Sequence, residues 1–339
     1  MTTTTYRAAI FPGPEKALEL ADVPIDHPAP GEVLIRNRAV ALQPLDAKML
    51  IAGYGPVTSL QYPAVLGTSG AGIVEELGEG VGGFEIGDRV VFDTKAYVVS
   101  DQNRRQGTWQ QLVTCDASTV AKIGGVPFEQ AVLVDFPLQT AVAALHVFLG
   151  MGSPGSGKSE EKVLIWGAGG AVGSYAVQYA KSVGHTVIVT ASPRDIDRQK
   201  RIGASAVIDY KSTDVVERLR ENGPYKYLLT ASGDAASQKA LAALILDSGK
   251  FASVLPRAIE LPPNVEIVYT AFSQAAQKEE YSAWRSFWYQ EYLPEVLAKN
   301  LVEPVKFTKI EGGLGALQQA NQEVFDGKVR GKLVVNPQE

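Results

Sequence analysis

Between residues 162 and 255, apolar runs of three to six residues alternate with longer stretches of mixed polarity. The runs are Val163–Trp166, Val187–Thr190, Ala206–Ile208, Tyr227–Thr230 and Gly249–Val254. Unbroken apolar runs of this length suit strands buried on both faces, and the segments between them, Ser174–Val183 foremost, have the length of helices. Five strand–helix units in succession predict an α/β fold with a doubly wound parallel sheet. The first 120 residues read differently. Short β segments at Arg7–Phe11, Glu32–Ala41, Ala71–Leu77, Arg89–Phe92 and Trp109–Val113 are broken by glycine and proline, which predicts a compact β barrel or sandwich. Turn signals at Pro28-Ala29-Pro30-Gly31 and across Gly78–Gly83 mark its hairpins. An apolar helix pair is expected over Phe128–Leu149, with Pro137 opening the second helix. Beyond residue 270 come a helical segment Ser282–Lys299, the stretch Val302–Lys309, a helix near Leu314–Phe325 and a closing strand Gly331–Val335. This tail reads as a return to the first domain. Tyr281, Trp284, Phe287, Trp288, Tyr289 and Tyr292 either pack the long helix or line a pocket for an apolar substrate.

The richest chemistry follows the first strand of the sheet. Gly167-Ala168-Gly169-Gly170-Ala171-Val172-Gly173 joins Val163–Trp166 to a helix, as in the opening of a dinucleotide-binding βαβ unit. Glycines there let backbone N–H groups approach a pyrophosphate at the positive end of the helix. Gly167 leads a G-x-G, whereas the spacing to Gly173 fits Ala168-x-Gly170-x-x-Gly173. Gly170, Ala171, Val172 and Gly173 are therefore the expected pyrophosphate contacts. At the end of the second strand an NAD site usually carries an acid, yet this chain has Thr190-Ala191-Ser192-Pro193-Arg194. A hydroxyl and a guanidinium suit a 2′-phosphate, so NADPH is the expected cofactor, held by Ser192 and Arg194 with Tyr210 covering the adenosine. Arg198, Lys200 and Arg201 read as a solvated helix face, and Asp195 and Asp197 temper the local charge. Ser232 with Gly233, and Leu255, end later strands where nicotinamide contacts lie.

Composition narrows the field. The 339 residues carry a net charge of −5 with dispersed basic residues, so neither nucleic acid nor an anionic membrane is an expected partner. No apolar run approaches the roughly 20 residues of a membrane span, and Met1–Tyr6 lacks leader character, which reads as cytoplasmic. A single cysteine, Cys115, precludes disulfides within the chain and a cysteine-based zinc site. His27, His146 and His185 are scattered, so no metal site is expected. Gly152–Ser159 matches G-x-x-x-x-G-K-[ST], but it precedes a strand instead of following one and reads as an exposed linker.

The chain resembles medium-chain dehydrogenases/reductases of the zinc-independent quinone-oxidoreductase and enoyl-reductase branch, and is most similar to fungal, trans-acting enoyl reductases. The resemblance rests on Pro30–Arg36, Gln43–Lys48, Tyr62–Gly67, Gly70–Val74, Gly87–Val90, Gly107–Trp109, Thr140-Ala141 and Gly331-Lys332. It implies a GroES-like β-barrel catalytic domain, residues 1–125 and 271–339, around a Rossmann domain, residues 126–270. Zinc-dependent members carry ligands where Gln43 and Thr68-Ser69 stand here. Without a Lewis acid, the reaction expected is NADPH-dependent reduction of an activated C=C bond in an enone or enoyl thioester, with quinone reduction as the alternative. A non-enzymatic, crystallin-like NADPH-binding role is a further alternative. The resemblance implies that Lys48 polarises the substrate or anchors the cofactor, that Tyr54 protonates the reduced alkene, that Thr140 opens a helix beside the nicotinamide, and that Lys332 reaches the cofactor. The bland readings are a surface lysine on the helix Leu45–Ile51, a packed loop aromatic and a structural helix residue. It also implies a small-molecule or carrier-bound substrate, a possible synthase partner, and a monomer or homodimer.

Overall fold

The computed structural model describes residues 5–98 and 101–339, so Met1–Thr4, part of the leader reading, lie outside the described residues. Eight strands come first: β1 (Thr5–Phe11), β2 (Glu19–Pro24), β3 (Glu32–Ala41), β4 (Ala64–Val65), β5 (Ser69–Leu77), β6 (Arg89–Asp93), β7 (Leu112–Asp116) and β8 (Val120–Lys122). β1 lies between β2 and β4 in a three-stranded sheet. β3 pairs antiparallel with both β5 and β7, while β6 links β5 to β8. Alternate side chains of these strands, among them Val33, Ile35, Val74, Val90, Phe92, Val113 and Cys115, form one buried cluster. Each such large side chain contributes about 1.5–3 kcal/mol on removal from water. β2, β4 and β8 were not expected from the sequence, being short or, in β2, largely exposed.

Six parallel strands follow: β9 (Lys162–Trp166), β10 (Thr186–Ala191), β11 (Ala206–Asp209), β12 (Tyr227–Thr230), β13 (Gly249–Ser253) and β14 (Val265–Val268). Their order is β11-β10-β9-β12-β13-β14, so the winding reverses between β9 and β12. Such a switch opens a crevice at the carboxyl ends of the strands. The sixth strand, β14, is a partly exposed edge whose mixed pattern hid it in the sequence.

Two expectations are corrected here. Residues 128–148 form one continuous helix, α-helical over Phe128–Val142 and wider over Ala143–Phe148, with Pro137 inside it. Proline tolerates this position because tertiary packing around it holds the backbone helical despite the missing N–H. By length and composition this 21-residue helix could cross a membrane, contrary to the expectation that no run comes near that length. Asp135, Pro137 and Gln139 interrupt the apolar run in the sequence without interrupting the helix, and 72% of its most apolar window is buried within the protein.

The chain then returns through consecutive helical turns, α over Ser282–Ser286, π over Phe287–Tyr292 and α over Leu293–Ala298. β15 (Phe307–Ile310) and β16 (Lys332–Val335) pair in parallel, and β16 pairs antiparallel with β3, Val334 opposite Ala41. The chain forms two compact units, Met1–Phe136 with Ala276–Glu339, and Pro137–Ala275.

Candidate functional site

In the second unit the carboxyl ends of four strands gather side chains at one level. Trp166 of β9 lies opposite Thr190 of β10 and Thr230 of β12, and Thr230 lies opposite Ser253 of β13. The glycine turn leaves β9 at this level. Gly167 has φ +85°, which a side chain would strain, and Gly170 precedes the helix Ala171–Val183 in extended conformation. A Cβ on Gly173 would lie 2.3 Å from Gly167 O, so only glycine lets the helix pack onto its own turn. The register left open by the sequence is thereby resolved: Gly167 makes the turn, Gly173 the close packing, and Gly169 and Gly170 are exposed between them. Thr190 anchors the turn twice, its Oγ1 accepting from Gly167 N at 3.0 Å and its carbonyl from Ala168 N at 2.9 Å. Gln199 Nε2 donates to Ala168 O at 3.0 Å. No side chain caps the helix at Gly170, so its first-turn amides face outward from an exposed turn. This cradle fits a dinucleotide pyrophosphate.

Around the turn the structure brings together several expected residues. Ser192 starts the single turn Pro193–Asp195 after β10, and Arg194 is exposed, its Nε 3.9 Å from Asp195 Oδ2. Tyr210 is exposed immediately after β11, with Lys211 Nζ 5.7 Å from its ring centre. Ser232 packs against Gly167, its amide nitrogen 3.2 Å from where a Gly167 Cβ would stand, and Leu255 closes on Gly233. Thr230 Oγ1 accepts from Gly233 N at 2.9 Å and fixes this corner. Arg198, read as part of a solvated face, instead reaches Ser174 Oγ on the dinucleotide helix. Thr140 stands inside the helix Phe128–Val142 and does not open it, because that helix runs through Pro137 without a break. The Gly152–Ser159 loop is held by its own backbone, Gly155 N and Gly157 N donating to Ser182 O and Val183 O at 2.8 Å, which leaves those amides no role toward a phosphate.

In the first unit the helix Pro44–Ala52 carries Lys48 and ends at Gly53 in left-handed conformation. That turn brings Tyr54 back over the helix: Tyr54 N donates to Lys48 O, and Lys48 Nζ lies 5.4 Å from the centre of the Tyr54 ring. A lysine and an exposed phenol are thus paired. The same helix starts on a buried polar chain, in which Asp46 and Tyr97 join the expected Lys332 and were not legible in the sequence. Asp46 accepts from Gln43 N at 3.2 Å and from Tyr97 OH at 2.8 Å, while Tyr97 OH accepts from Gly67 N at 2.6 Å. Lys332, from β16, donates to Leu42 O at 3.2 Å and to Gln43 Oε1. Its ammonium therefore faces the start of this helix. Burial pushes the Lys332 ammonium down to about 8, against the attraction of Asp46. Burial likewise pushes Asp46 up to about 6, opposed by the hydrogen bonds from Tyr97 and Gln43 and by Lys332.

A buried pair of acids lies in the same unit. Asp93 and Asp135 are both inaccessible, and Trp288 Nε1 donates to Asp135 Oδ1 at 3.0 Å. Burial raises Asp135 to about 7, and burial together with Asp135 raises Asp93 well above the usual carboxyl range. Trp288 packs at a tilt between Trp284 and Tyr292, ring centres 5.3 and 5.6 Å away, which favours the packing reading of the aromatic segment. Cys115 is buried with its Sγ 3.3 Å from Asp93 O, and among the described residues no group of three or more His, Cys, Asp or Glu side chains converges on a point.

Comparison with known proteins bears on both units. Residues 29–125 match the family model described as an alcohol dehydrogenase GroES-like domain, and residues 171–269 match one described as zinc-binding dehydrogenase. The trans-enoyl reductase tndF of Aspergillus flavipes is 31% identical over 97% of this chain and 98% of its own. The trans-enoyl reductase tazE of Aspergillus terreus is 34% identical over 70% of this chain and 81% of its own. Among solved structures, the Pseudomonas syringae pv. Tomato quinone oxidoreductase superposes with a TM-score of 0.77 at 23% identity, covering 98% of this chain and all of that one. The CurK enoyl reductase superposes with a TM-score of 0.78 at 18% identity, covering 98% and 99%. The fold is accordingly a GroES-like β barrel joined to a Rossmann sheet, and a dehydrogenase model over the dinucleotide sheet implies an oxidoreductase with a nicotinamide cofactor. From the glycine cradle, the paired family models and a relative matched along nearly its whole length, we conclude that this chain belongs to the medium-chain dehydrogenase/reductase family, on the branch that includes the fungal trans-enoyl reductases.

Proposed function

We propose that the protein is an NADPH-dependent reductase of an activated carbon–carbon double bond in an enoyl thioester, acting without zinc and in partnership with a carrier-bearing synthase in the cytoplasm. The observation that carries the reading is the exposed glycine turn at the switch point of the sheet, with a guanidinium following its second strand. The names of tndF and tazE support the substrate class and the partner. Gln43 and Thr68 stand where zinc-dependent members of the family place ligands; an amide already donating to Ala41 O and a hydroxyl are poor ligands for zinc.

A dinucleotide bound with its pyrophosphate at this turn would supply the hydride that adds to the β carbon. The chain's own residues perform the remaining tasks. Backbone amides of Gly170–Gly173 would hold the pyrophosphate, Ser192 and Arg194 the 2′-phosphate with Tyr210 over the adenosine, and Ser232, Leu255 and Thr140 would orient the ring. Lys48 stabilises the enolate oxygen as negative charge develops on the thioester carbonyl. Tyr54 delivers its phenolic proton to the α carbon, and solvent restores it. Lys332 acts at one remove, through Gln43 and the start of the Lys48 helix. The interrupted unit, Met1–Phe136 with Ala276–Glu339, is assigned the substrate chemistry and the continuous unit, Pro137–Ala275, the cofactor.

The test is NADPH oxidation with enoyl thioesters, free and carrier-bound, with enones and quinones alongside and NADH as control. Reduction of the enoyl thioester, with an Arg194→Ala variant whose KM for NADPH rises about tenfold while that for NADH holds, is the expected result. Turnover of quinones alone would overturn the substrate class.

A further inference from the structure

Asp195 occupies a position that its place in the sequence does not suggest. It lies four residues past β10, beyond the point where a ribose-binding acid is sought. The turn Pro193–Asp195, closed by Asp195 N donating to Ser192 O at 2.9 Å, folds it back. A Cβ on Gly169 would lie 3.2 Å from Asp195 Oδ2, so the carboxylate stands over the exposed part of the glycine turn. Asp195 also starts the helix Ile196–Arg201, where an aspartate ordinarily caps its own backbone, yet its side chain makes no such bond. Arg194 Nε lies 3.9 Å from its Oδ2, too far for a hydrogen bond, and both side chains reach solvent. The site thus presents, side by side, an uncommitted carboxylate at the pyrophosphate turn and an exposed guanidinium outside it.

These two groups answer to different cofactors. A carboxylate accepts hydrogen bonds from the vicinal hydroxyls of a ribose and repels a phosphate dianion, whereas a guanidinium does the reverse. We propose that Asp195 is a specificity-determining residue: its carboxylate receives the adenosine-ribose hydroxyls and opposes a 2′-phosphate, so that the site admits both NADH and NADPH and favours NADPH by less than Arg194 and Ser192 alone would set. The inference rests on the dinucleotide reading of the glycine turn and adds a competing acid to it.

Binding of fragments that lack the nicotinamide tests it apart from turnover. Calorimetric titrations of 5′-ADP and 2′,5′-ADP would be run on the full chain as wild type, Asp195→Asn and Arg194→Ala. Asn is isosteric and the position is partly exposed, and thermal melting confirms that each variant folds. Asp195→Asn is expected to tighten 2′,5′-ADP about tenfold, the effect of removing one charge a few ångströms from a dianion, and to weaken 5′-ADP about threefold. A ratio of the two affinities that stays within about twofold of wild type in Asp195→Asn overturns the proposal. If Arg194→Ala loses 2′,5′-ADP in that same experiment, the phosphate site survives and only the role of Asp195 fails. Wild type binding neither fragment overturns both.

Discussion

Tyr54 and Lys48 form the only pair of expected catalytic side chains that the fold places in contact among the described residues. The left-handed residue Gly53 makes this possible, because it turns the chain back onto the helix that carries Lys48. Tyr54→Phe keeps the ring, and hence the cation–π contact, while removing the proton. We expect kcat to fall about 10- to 100-fold with the dissociation constant for NADPH unchanged, as single-turnover kinetics and fluorescence titration would show. An unchanged kcat would assign the proton to water. Lys48→Met is expected to lower kcat comparably, since the oxyanion then loses its cation. Legibility at this scale follows chain distance. Ser192 and Arg194 could be read because they sit beside the strand end, whereas Asp195 could not, since its return depends on a turn with no marker beyond Pro193.

Elements show where composition misleads. The sequence predicts two helices here because Pro137 interrupts the run, and Asp135 beside it is polar for a reason visible only in three dimensions: it accepts from Trp288 across 153 residues of sequence. Its carboxyl is raised to about 7 in the fold and titrates near 4 when unfolded, so the folded state holds the proton more tightly. The associated stability is fully present below about pH 4 and is lost as pH rises toward 7, by an amount on the order of 4 kcal/mol. Asp135→Asn keeps an oxygen for Trp288 and is expected to flatten this dependence in denaturant titrations at pH 5 and pH 8; an equal slope in both proteins would refute the assignment. At the glycine turn the sequence pattern was ambiguous because two registers fit the same glycines. The structure separates them through a single close approach, and Gly173→Ala is expected to displace the turn, abolish 2′,5′-ADP binding and lower stability by about 1–3 kcal/mol.

The whole molecule is built from a continuous unit and an interrupted one. Pro137–Ala275 is one stretch of chain, whereas the other unit needs Ala276–Glu339 to complete it. Alternating strands and helices made the parallel sheet legible, since each unit of that pattern is local. The barrel was legible only in outline, because its pairings join segments far apart, β16 to β3 foremost. Removing residues 331–339 takes away β16 and, with it, the Lys332 ammonium donating to Leu42 and Gln43. Calorimetry of that truncated chain is expected to lose one melting transition while 2′,5′-ADP still binds and stabilises the other.

The same pairing sets a timetable for a chain emerging from the ribosome. Leu42 and its partner Lys332 are separated by 290 residues, which at roughly 5–20 residues per second is about 15 to 60 s of synthesis. Through that interval the cofactor sheet can fold and load its dinucleotide, while the edge of β3 waits without the strand that will cover it. An exposed strand edge invites pairing with another chain. Yield in the cell would then be governed by how well nascent β3 is shielded until β16 is released, and synonymous changes that slow translation after residue 275 should lengthen the exposure and increase aggregation.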